Sequence, residues 1–401
     1  MTGSTLDTMD RARVDDAAGA SEPLDPARVE AFAGRLFELY TGGLLTFLVD
    51  IGHRTGLFAA AAAGPATSAE LAGRADLQER YVREWLGAMV TGGILEHDPA
   101  AGTYRLPAEH AACLTGPGSA NLAPLSRLDT HLAKHVDAVA RAFREGGGVP
   151  YAEYRPEFTD VMDAIGRGAF DELLVGEYLP LVPGLAERLA AGARVADGGC
   201  GTGHAIVLLA AAYPASTFVG YDLAGDAIAR ARSEAAAAGL PNARFEVRDA
   251  ARMTVEEPFD VVFVFDAVHD QVAPAAVLER IHAALAPGGT FVMVEPRASS
   301  NLEDNLGDPM APMLYAISTL YCMTVSLAEG GAGRGISAIL GRAGGAGHAG
   351  RGRLRRGRRP RGPGRPAQRR VRDLPAGGLT AVRPWPPGRP NGPRPGSRPD
   401  A

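Results

Sequence analysis

The segment with the clearest chemical signature is glycine-rich and contains one acid. Residues 195–203 have the sequence Val-Ala-Asp-Gly-Gly-Cys-Gly-Thr-Gly, so the spacing is D-x-G-x-G-x-G from Asp197 to Gly203. Glycines let a backbone approach a ligand closely, and the start of a following helix offers free N–H groups. A dinucleotide-binding loop would need glycine at position 204, where the chain has His204. Asp197 would repel a pyrophosphate, so the segment favours a zwitterionic or cationic ligand; an ordinary strand-to-helix turn is the alternative.

Two further acids follow at the ends of the next two predicted strands. Asp222 lies 19 residues after Gly203, and a carboxylate at that point can accept both hydroxyls of a ribose. Asp249 precedes Ala250, and an acid there can meet an adenine amino group. Either acid alone could simply cap a helix. Together, at the carboxyl ends of successive strands, they predict a nucleoside-shaped crevice.

Alternating strands and helices position these acids. The predicted strands cover residues 194–197, 217–222, 243–248, 260–265 and 290–295, and the helices between them cover 203–213, 225–238 and 274–285. This alternation predicts an α/β fold with a Rossmann-like, doubly wound, mostly parallel sheet.

The N-terminal part has the order helix, turn, helix, hairpin. Apolar residues at helical spacing occupy residues 28–63, a capped helix begins at Thr67, a second helix spans residues 78–90, and residues 94–106 form a hairpin. This is a winged-helix layout. The four charged residues of the second helix cancel, unlike the basic surface of a DNA reader. We therefore predict a dimerisation domain that does not bind nucleic acid.

Charge divides the chain into two unlike parts. Residues 331–401 contain 17 Arg, 17 Gly and 11 Pro but only 2 Asp, which gives a net charge of +15, whereas residues 1–330 have a net charge of −20. We predict that this tail is disordered, because it cannot bury enough apolar surface. Two origins stay open: an evolved basic arm for nucleic acid, or a shifted reading frame in GC-rich DNA. The single lysine against 40 arginines favours the second.

Residues 179–330 resemble class I S-adenosylmethionine-dependent methyltransferases. Asp197, Gly199, Gly201 and Gly203 match motif I, Asp222 the ribose acid, Asp249-Ala250 the adenine contact, and residues 285–289 the turn before the fifth strand. With residues 28–110 included, the chain is similar to bacterial two-domain methyltransferases with an N-terminal winged helix, an architecture shared with small-molecule O-methyltransferases. The resemblance implies S-adenosyl-L-methionine as cofactor. Further predicted cofactor-binding residues are Cys200, Leu223, Phe265 and Asp266, with Cys200 a packing residue and not a nucleophile.

The resemblance also implies a catalytic pair, His269-Asp270, at the exit of the fourth strand. In small-molecule O-methyltransferases such a pair contains the general base, and imidazole suits this role because its pKa lies near 6.5. The family usually has Trp next, where this chain has Gln271. A helix-capping or cofactor-lining role for His269 is the alternative. The family also ends its sheet with an antiparallel strand pair, and nothing after Gly335 has a strand pattern.

The remaining predictions concern domains, acceptor and compartment. The predicted domains are a disordered segment 1–27, a winged-helix dimerisation domain 28–115, a helical linker and substrate cap 116–190, a methyltransferase domain 191–330 and the tail 331–401. Residues 297–330 form a lid whose methionines and tyrosines suit an aromatic or polyketide-like acceptor, although such a stripe is also typical of a core. The three cysteines have no zinc spacing, so we predict no metal site. The chain shows no leader and no apolar run of roughly 18 residues, so we predict a cytoplasmic protein without membrane contact. We also predict that it is a homodimer. A ligand-responsive transcription regulator and a non-catalytic cofactor-binding protein are the alternative functions.

Overall fold

The computed structural model describes residues 23–253, 257–296 and 298–328, together with the backbone of Leu379–Val382. Among these residues, none of the helices combines the length and the apolar character needed to cross a bilayer.

The N-terminal domain is a winged helix, as predicted. Its elements are α1 (Pro26–Arg54), α2 (Leu57–Ala62), α3 (Ser68–Ala75), α4 (Glu79–Thr91), β1 (Glu96–Asp98) and β2 (Thr103–Arg105). The residues 28–63 with helical apolar spacing form two helices, because Gly56 has φ +74° and starts α2 as a left-handed cap. Thr67 and Glu70 form a reciprocal capping box at the start of α3. Trp85, Leu86 and Met89 of α4 are buried in the domain core, so this face is not available to a ligand.

A helical cap connects this domain to the sheet. It contains α5 (Ala108–Leu114), α6 (Leu125–Ala133), α7 (Val136–Glu145), α8 (Tyr151–Tyr154), α9 (Glu157–Leu173), a π-helical turn (Leu174–Tyr178), a 3₁₀ turn (Leu179–Leu181) and α10 (Leu185–Ala191). α6 and α7 are separate helices, since α6 ends at Ala133. Asp163 of α9 accepts a hydrogen bond from Thr202, which follows the first strand of the sheet.

The C-terminal domain is an α/β fold with a parallel sheet, which confirms the predicted fold class. Its strands are β3 (Arg194–Gly198), β4 (Thr217–Asp222), β5 (Ala243–Val247), β6 (Phe259–Phe265), β7 (Leu285–Val294) and β8 (Leu379–Val382), and its helices are α11 (His204–Ala212), α12 (Gly225–Ala237) and α13 (Pro274–Ala284). The strand order is β5-β4-β3-β6-β7-β8, and each neighbouring pair is parallel. β7 starts earlier than predicted, and its pairing with β6 shifts register between Phe259 and Val261.

Buried side chains cover both faces of this sheet. One cluster includes Val195, Phe218 and Phe263, and the other includes Val219, Val262 and Val264. The chain order reverses between β3 and β6, so the carboxyl ends of these two strands flank a crevice. In open α/β sheets this switch point is where ligands bind.

The lid contains α14 (Ala311–Ile317), a π-helical turn (Ser318–Cys322) and α15 (Met323–Leu327). The predicted disorder of the tail lies outside the described residues, except at β8. There the prediction that no strand follows Gly335 is wrong, because Leu379–Val382 pairs with Phe291–Val294. β8 is parallel to β7, so the antiparallel pair that the resemblance implied is not formed by the described residues.

Candidate active site

A tight turn joins β3 to α11 at the switch point. We call residues 199–203 the glycine turn. Gly199, Gly201 and Gly203 have φ values of +84°, +53° and +75°, which favour glycine. A Cβ atom on Gly199 would lie 2.8 Å from the Cβ of Ala267, whereas one on Gly201 would meet no described atom within 4 Å. A side chain at position 199 would therefore clash with the protein, whereas position 201 has open space beside it.

Asp197 and Asp222 lie beside this turn. One oxygen of Asp222 accepts a hydrogen bond of 2.8 Å from the Gly201 backbone N–H, and the other accepts one of 2.8 Å from Ala224. Asp197 is buried, and its Oδ1 has no hydrogen-bond partner among the described residues. Burial, and then the nearby charge of Asp222, raise the pKa of Asp197 to about 8. This carboxylate needs a cationic or N–H partner.

The other predicted cofactor residues divide into two groups. Asp249 accepts a 2.8 Å hydrogen bond from the Ala251 N–H, and the buried Ala250 lies close to Gly198 at the end of β3. Leu223 is exposed at the end of β4. These residues follow neighbouring strands and lie at the same edge of the sheet as the glycine turn.

In the second group, two side chains pack inward and one is exposed. The Cys200 sulfur lies over Gly220, and burial raises the pKa of its thiol well above the usual value, so it stays protonated. The Phe265 ring contacts Phe170 of α9 edge to face, with centroids 5.3 Å apart. Asp266 has φ +53°, and its side chain is 46% exposed. Cys200 and Phe265 therefore pack into the protein next to the glycine turn. Asp266 lies in the crevice at the carboxyl end of β6.

His269 is the centre of an acidic cluster. It is 3% exposed. Its Nδ1 contacts a carboxylate oxygen of Glu295, and its Nε2 lies 3.1 Å from Oδ1 of Asp270. Burial alone lowers the pKa of His269, but Asp270, Cys322 and Glu295 raise it more, so the pKa lies well above 6.5. The imidazole therefore lies between two carboxylates, which favour its protonated form.

Sequence reasoning missed Glu295 and Cys322. Glu295 directly follows β7, so its position at the carboxyl end of a predicted strand was an available signal, the same one that identified Asp222. Cys322 lies on the lid and has no local sequence signal. Ligand-type atoms of His269, Asp270 and Cys322 lie within 4.8 Å of one another, as do those of Asp266, His269 and Glu295. Such sets could hold a metal ion, but both imidazole nitrogens already face carboxylates, which favours acid–base chemistry.

Aromatic side chains of the cap and lid lie over the crevice. Phe158 of α9 stacks on Tyr321 with ring centroids 3.8 Å apart, and the Tyr154 hydroxyl donates a 2.6 Å hydrogen bond to the Leu320 carbonyl. Burial, and then the charge of Asp222, raise the pKa of Tyr151 to about 12. Cap and lid are thus packed together next to the acids.

Two sizeable cavities lie away from the glycine turn. One of about 340 Å³ is lined by α1, α6 and the lid residues Met313 and Ile317. The other, of about 540 Å³, lies between α7 and residues Thr319–Leu327 of the lid. The chemistry of the strand ends, and not the size of a cavity, identifies the candidate active site.

Comparison with protein families assigns both domains. Residues 43–116 match the model described as the Rv2258c-like winged HTH domain, and residues 189–334 match the model of a methyltransferase domain.

Curated relatives match just over a third of the chain. The trans-aconitate 2-methyltransferase of Methylobacterium nodulans is 33% identical over 146 residues, which are 36% of this chain and 52% of that protein. The carboxy-S-adenosyl-L-methionine synthase of Chromohalobacter salexigens is 30% identical over 175 residues, with 38% and 64% covered. The chain spans about half the length of the trans-aconitate methyltransferases that it matches.

Solved structures share the fold over most of the chain. The mitomycin 7-O-methyltransferase MmcR has a TM-score of 0.58 at 16% identity, covering 76% of this chain and 89% of that one. Human N-acetylserotonin methyltransferase in complex with S-adenosylmethionine has a TM-score of 0.54 at 20% identity, covering 76% and 88%. An O-methyltransferase family protein from Burkholderia thailandensis has a TM-score of 0.53 at 19% identity, covering 73% and 87%.

Proposed function

We propose, from the premise that residues 189–334 form a class I S-adenosylmethionine-dependent methyltransferase domain, that the chain transfers the cofactor's methyl group to a hydroxyl of a small molecule. The observation that carries this proposal is the convergence of Asp197, Asp222 and the glycine turn at the switch point of the sheet. This arrangement places two carboxylates beside one crevice at the start of α11.

The residues of the crevice fit the cofactor. S-adenosylmethionine supplies an electrophilic methyl group on a positively charged sulfonium. Asp222 would bind the ribose hydroxyls, and Asp249 and Ala250 would contact the adenine. The buried Asp197 oxygen that lacks a partner would gain one from the ligand's ammonium group. The cofactor thereby compensates a carboxylate that is costly to bury alone.

We assign the general base to His269. A hydroxyl acceptor must lose a proton, and a positioned imidazole can accept it. Glu295 fixes the ring through Nδ1, and Nε2 faces Asp270, so the proton would be received on the Asp270 side. Asp270 is then a positioning residue. Because only the neutral ring accepts a proton and its pKa is raised, this base works at higher pH than an ordinary imidazole.

An aromatic or polyketide-like acceptor suits the lid. Met310 of the lid is 41% exposed, and a soft thioether side chain adapts to flat apolar ligands. The name of the trans-aconitate 2-methyltransferases implies a carboxylate acceptor for those relatives. A carboxylate has no proton to lose at neutral pH, so the buried His269 favours a hydroxyl here.

We further propose a cytoplasmic homodimer that does not read DNA. Eight apolar side chains of α1 are 38–73% exposed, including Phe37 and Leu44, which supports a role for this helix in dimerisation. On α4, Arg83 is paired with Glu79 and Arg80 with Glu84, so both arginines form ion pairs within the helix. The three free cysteines support a reducing compartment.

The test uses the full chain with cofactor labelled in its methyl group. Incubated with a metabolite extract, the protein should transfer label to an apolar, hydroxyl-bearing compound. Asp222→Ala should weaken cofactor binding, measured by calorimetry, roughly 10- to 150-fold, as expected for lost hydrogen bonds to a charged group. Asp137→Ala, which removes an exposed carboxylate on α7, is the matched control. Unchanged affinity in Asp222→Ala, or binding of NADH at this site, would contradict the proposal.

A further inference from the structure

The cap is hydrogen-bonded to the glycine turn itself. Thr202 of the turn donates a 2.6 Å hydrogen bond through Oγ1 to Oδ1 of Asp163 on α9. The Asp163 side chain is only 6% exposed. It also accepts hydrogen bonds of 2.9 and 3.2 Å from Arg167 and one of 2.5 Å from Arg230 of α12. One buried carboxylate thus joins the cap, the turn and α12.

Arg167 forms the second part of this network. Its guanidinium makes two hydrogen bonds to Glu234 of α12, at 2.7 and 2.9 Å, in addition to the two to Asp163. The hydrogen bonds from Arg167 lower the pKa of Glu234 to about 2 and so keep it ionised. A planar guanidinium satisfies two carboxylates at once, which an ammonium group cannot do.

His204 closes the network at the end of the turn. It is the first residue of α11 and is buried. Its Nε2 lies 2.7 Å from Asp171 of α9, and its Nδ1 lies 3.0 Å from Glu234 and 2.8 Å from Arg167. The residue that distinguishes this turn from a dinucleotide loop is therefore held between the cap and α12.

These contacts surround the turn on the side away from Asp222. Gly201 is bonded to Asp222 on β4, whereas the next residue, Thr202, is bonded to α9. The turn has three glycines and little stiffness of its own, since glycine loses more conformational freedom on ordering than other residues. Its shape must be fixed by partners, which are the end of β4 for residues 199–201 and α9 for Thr202.

We infer that Asp163 and Arg167 are positioning residues for the cofactor: they order the glycine turn from the cap and raise cofactor affinity without touching the cofactor. The inference rests on the proposed function. α9 also carries Phe158, which stacks on Tyr321 of the lid. The same helix therefore connects the lid, where the acceptor would bind, to the glycine turn, where the cofactor would bind. Ordering of α9 by either ligand then favours binding of the other, and by the same factor.

The test compares three variants of the full chain. Thr202→Val removes the hydroxyl at nearly constant volume, Asp163→Asn removes the charge, and Arg167→Lys keeps a charge but loses the paired geometry. Each should raise the Kd of S-adenosylmethionine about five- to thirtyfold, less than the roughly 10- to 150-fold effect of losing a direct hydrogen bond to a charged group, because these residues do not contact the cofactor. The double variant Thr202→Val/Asp163→Asn should be no weaker than the worse single variant, because both remove one contact. Arg141→Lys on α7 is the matched control.

Separate effects on KM and kcat distinguish a loss of cofactor positioning from general damage to the fold. The KM for the cofactor should rise in parallel with Kd, while kcat at saturating cofactor should change less than about threefold. Equal Kd values in wild type and all three variants would overturn the inference, as would additive losses in the double variant. Calorimetry with the cofactor needs no turnover. A wild type that binds no cofactor would instead refute the proposed function.

Discussion

Glu295 contacts Nδ1 of His269 with one carboxylate oxygen and accepts a 2.9 Å hydrogen bond from the Val268 backbone N–H with the other. Both residues are buried. The carboxylate therefore fixes the loop after β6 and the imidazole together. This relationship joins the exits of two neighbouring strands, β6 and β7, and it underlies the first two predictions.

His269→Gln should lower turnover by roughly 10²–10⁴-fold, the range that general base catalysis contributes. Glutamine retains a donor toward Glu295 but cannot accept a proton near neutral pH. Cofactor affinity should change less than about threefold, because Asp197, Asp222 and Asp249 hold the cofactor. Turnover of the wild type should rise with pH through a midpoint above 6.5. His282→Gln on α13, which is exposed, is the control. A variant with nearly full turnover would show that proximity alone drives transfer.

The Glu295→Gln variant should show whether Glu295 positions the base His269 or acts only through packing. Glu295 raises the pKa of His269, so its neutralisation should lower that pKa and move the pH–turnover midpoint toward acid. Plateau turnover should fall roughly 10- to 1000-fold, within the range for impaired base catalysis. A steady-state pH profile of kcat measures both effects. Reduced turnover with an unchanged midpoint would mean that Glu295 acts only through the fold.

Asp197→Asn should stabilise the ligand-free protein while weakening cofactor binding. The pKa of Asp197 is raised from 3.8 to about 8 in the folded state, so the folded protein holds this proton more tightly than the unfolded chain. Its contribution to the free energy of unfolding is therefore lost as pH rises from about 4 to about 8. The asparagine variant should gain about 1–3 kcal/mol at pH 8, the usual cost of an unsatisfied buried group.

Urea unfolding at pH 5 and pH 8 checks this prediction. The stability gain of Asp197→Asn should shrink at pH 5, where wild-type Asp197 is protonated, and Asp137→Asn should show no gain at either pH. Calorimetry should give cofactor affinity at least about tenfold weaker in Asp197→Asn, since a charge-assisted contact is lost. A variant less stable than wild type at pH 8 would contradict the assignment of a buried, unpartnered carboxylate.

The sequence was sufficient for the sheet and the strand-end acids because their signals are local. Apolar strands, the glycine turn and the position of Asp222 after β4 are all set within a few residues of chain. The Thr202–Asp163 contact spans 39 residues, and the His269–Glu295 contact spans 26. Such pairs depend on how elements pack, which local patterns do not specify. The same reason explains why β8, in a tail without strand periodicity, was not predicted.

The exposed apolar face of α1 leads to the last prediction. Phe37 and Leu44 are 73% and 65% exposed, and a contiguous apolar face of this kind marks an interaction surface. Phe37→Glu/Leu44→Glu should convert a dimer to a monomer, because charges would be buried without partners in the interface. Light scattering after gel filtration measures the mass. Tyr81→Glu, which places a charge on the 80% exposed Tyr81 of α4, should leave the dimer intact. A wild type that stays monomeric at all concentrations, or a double variant that stays dimeric, would show that α1 does not mediate dimerisation.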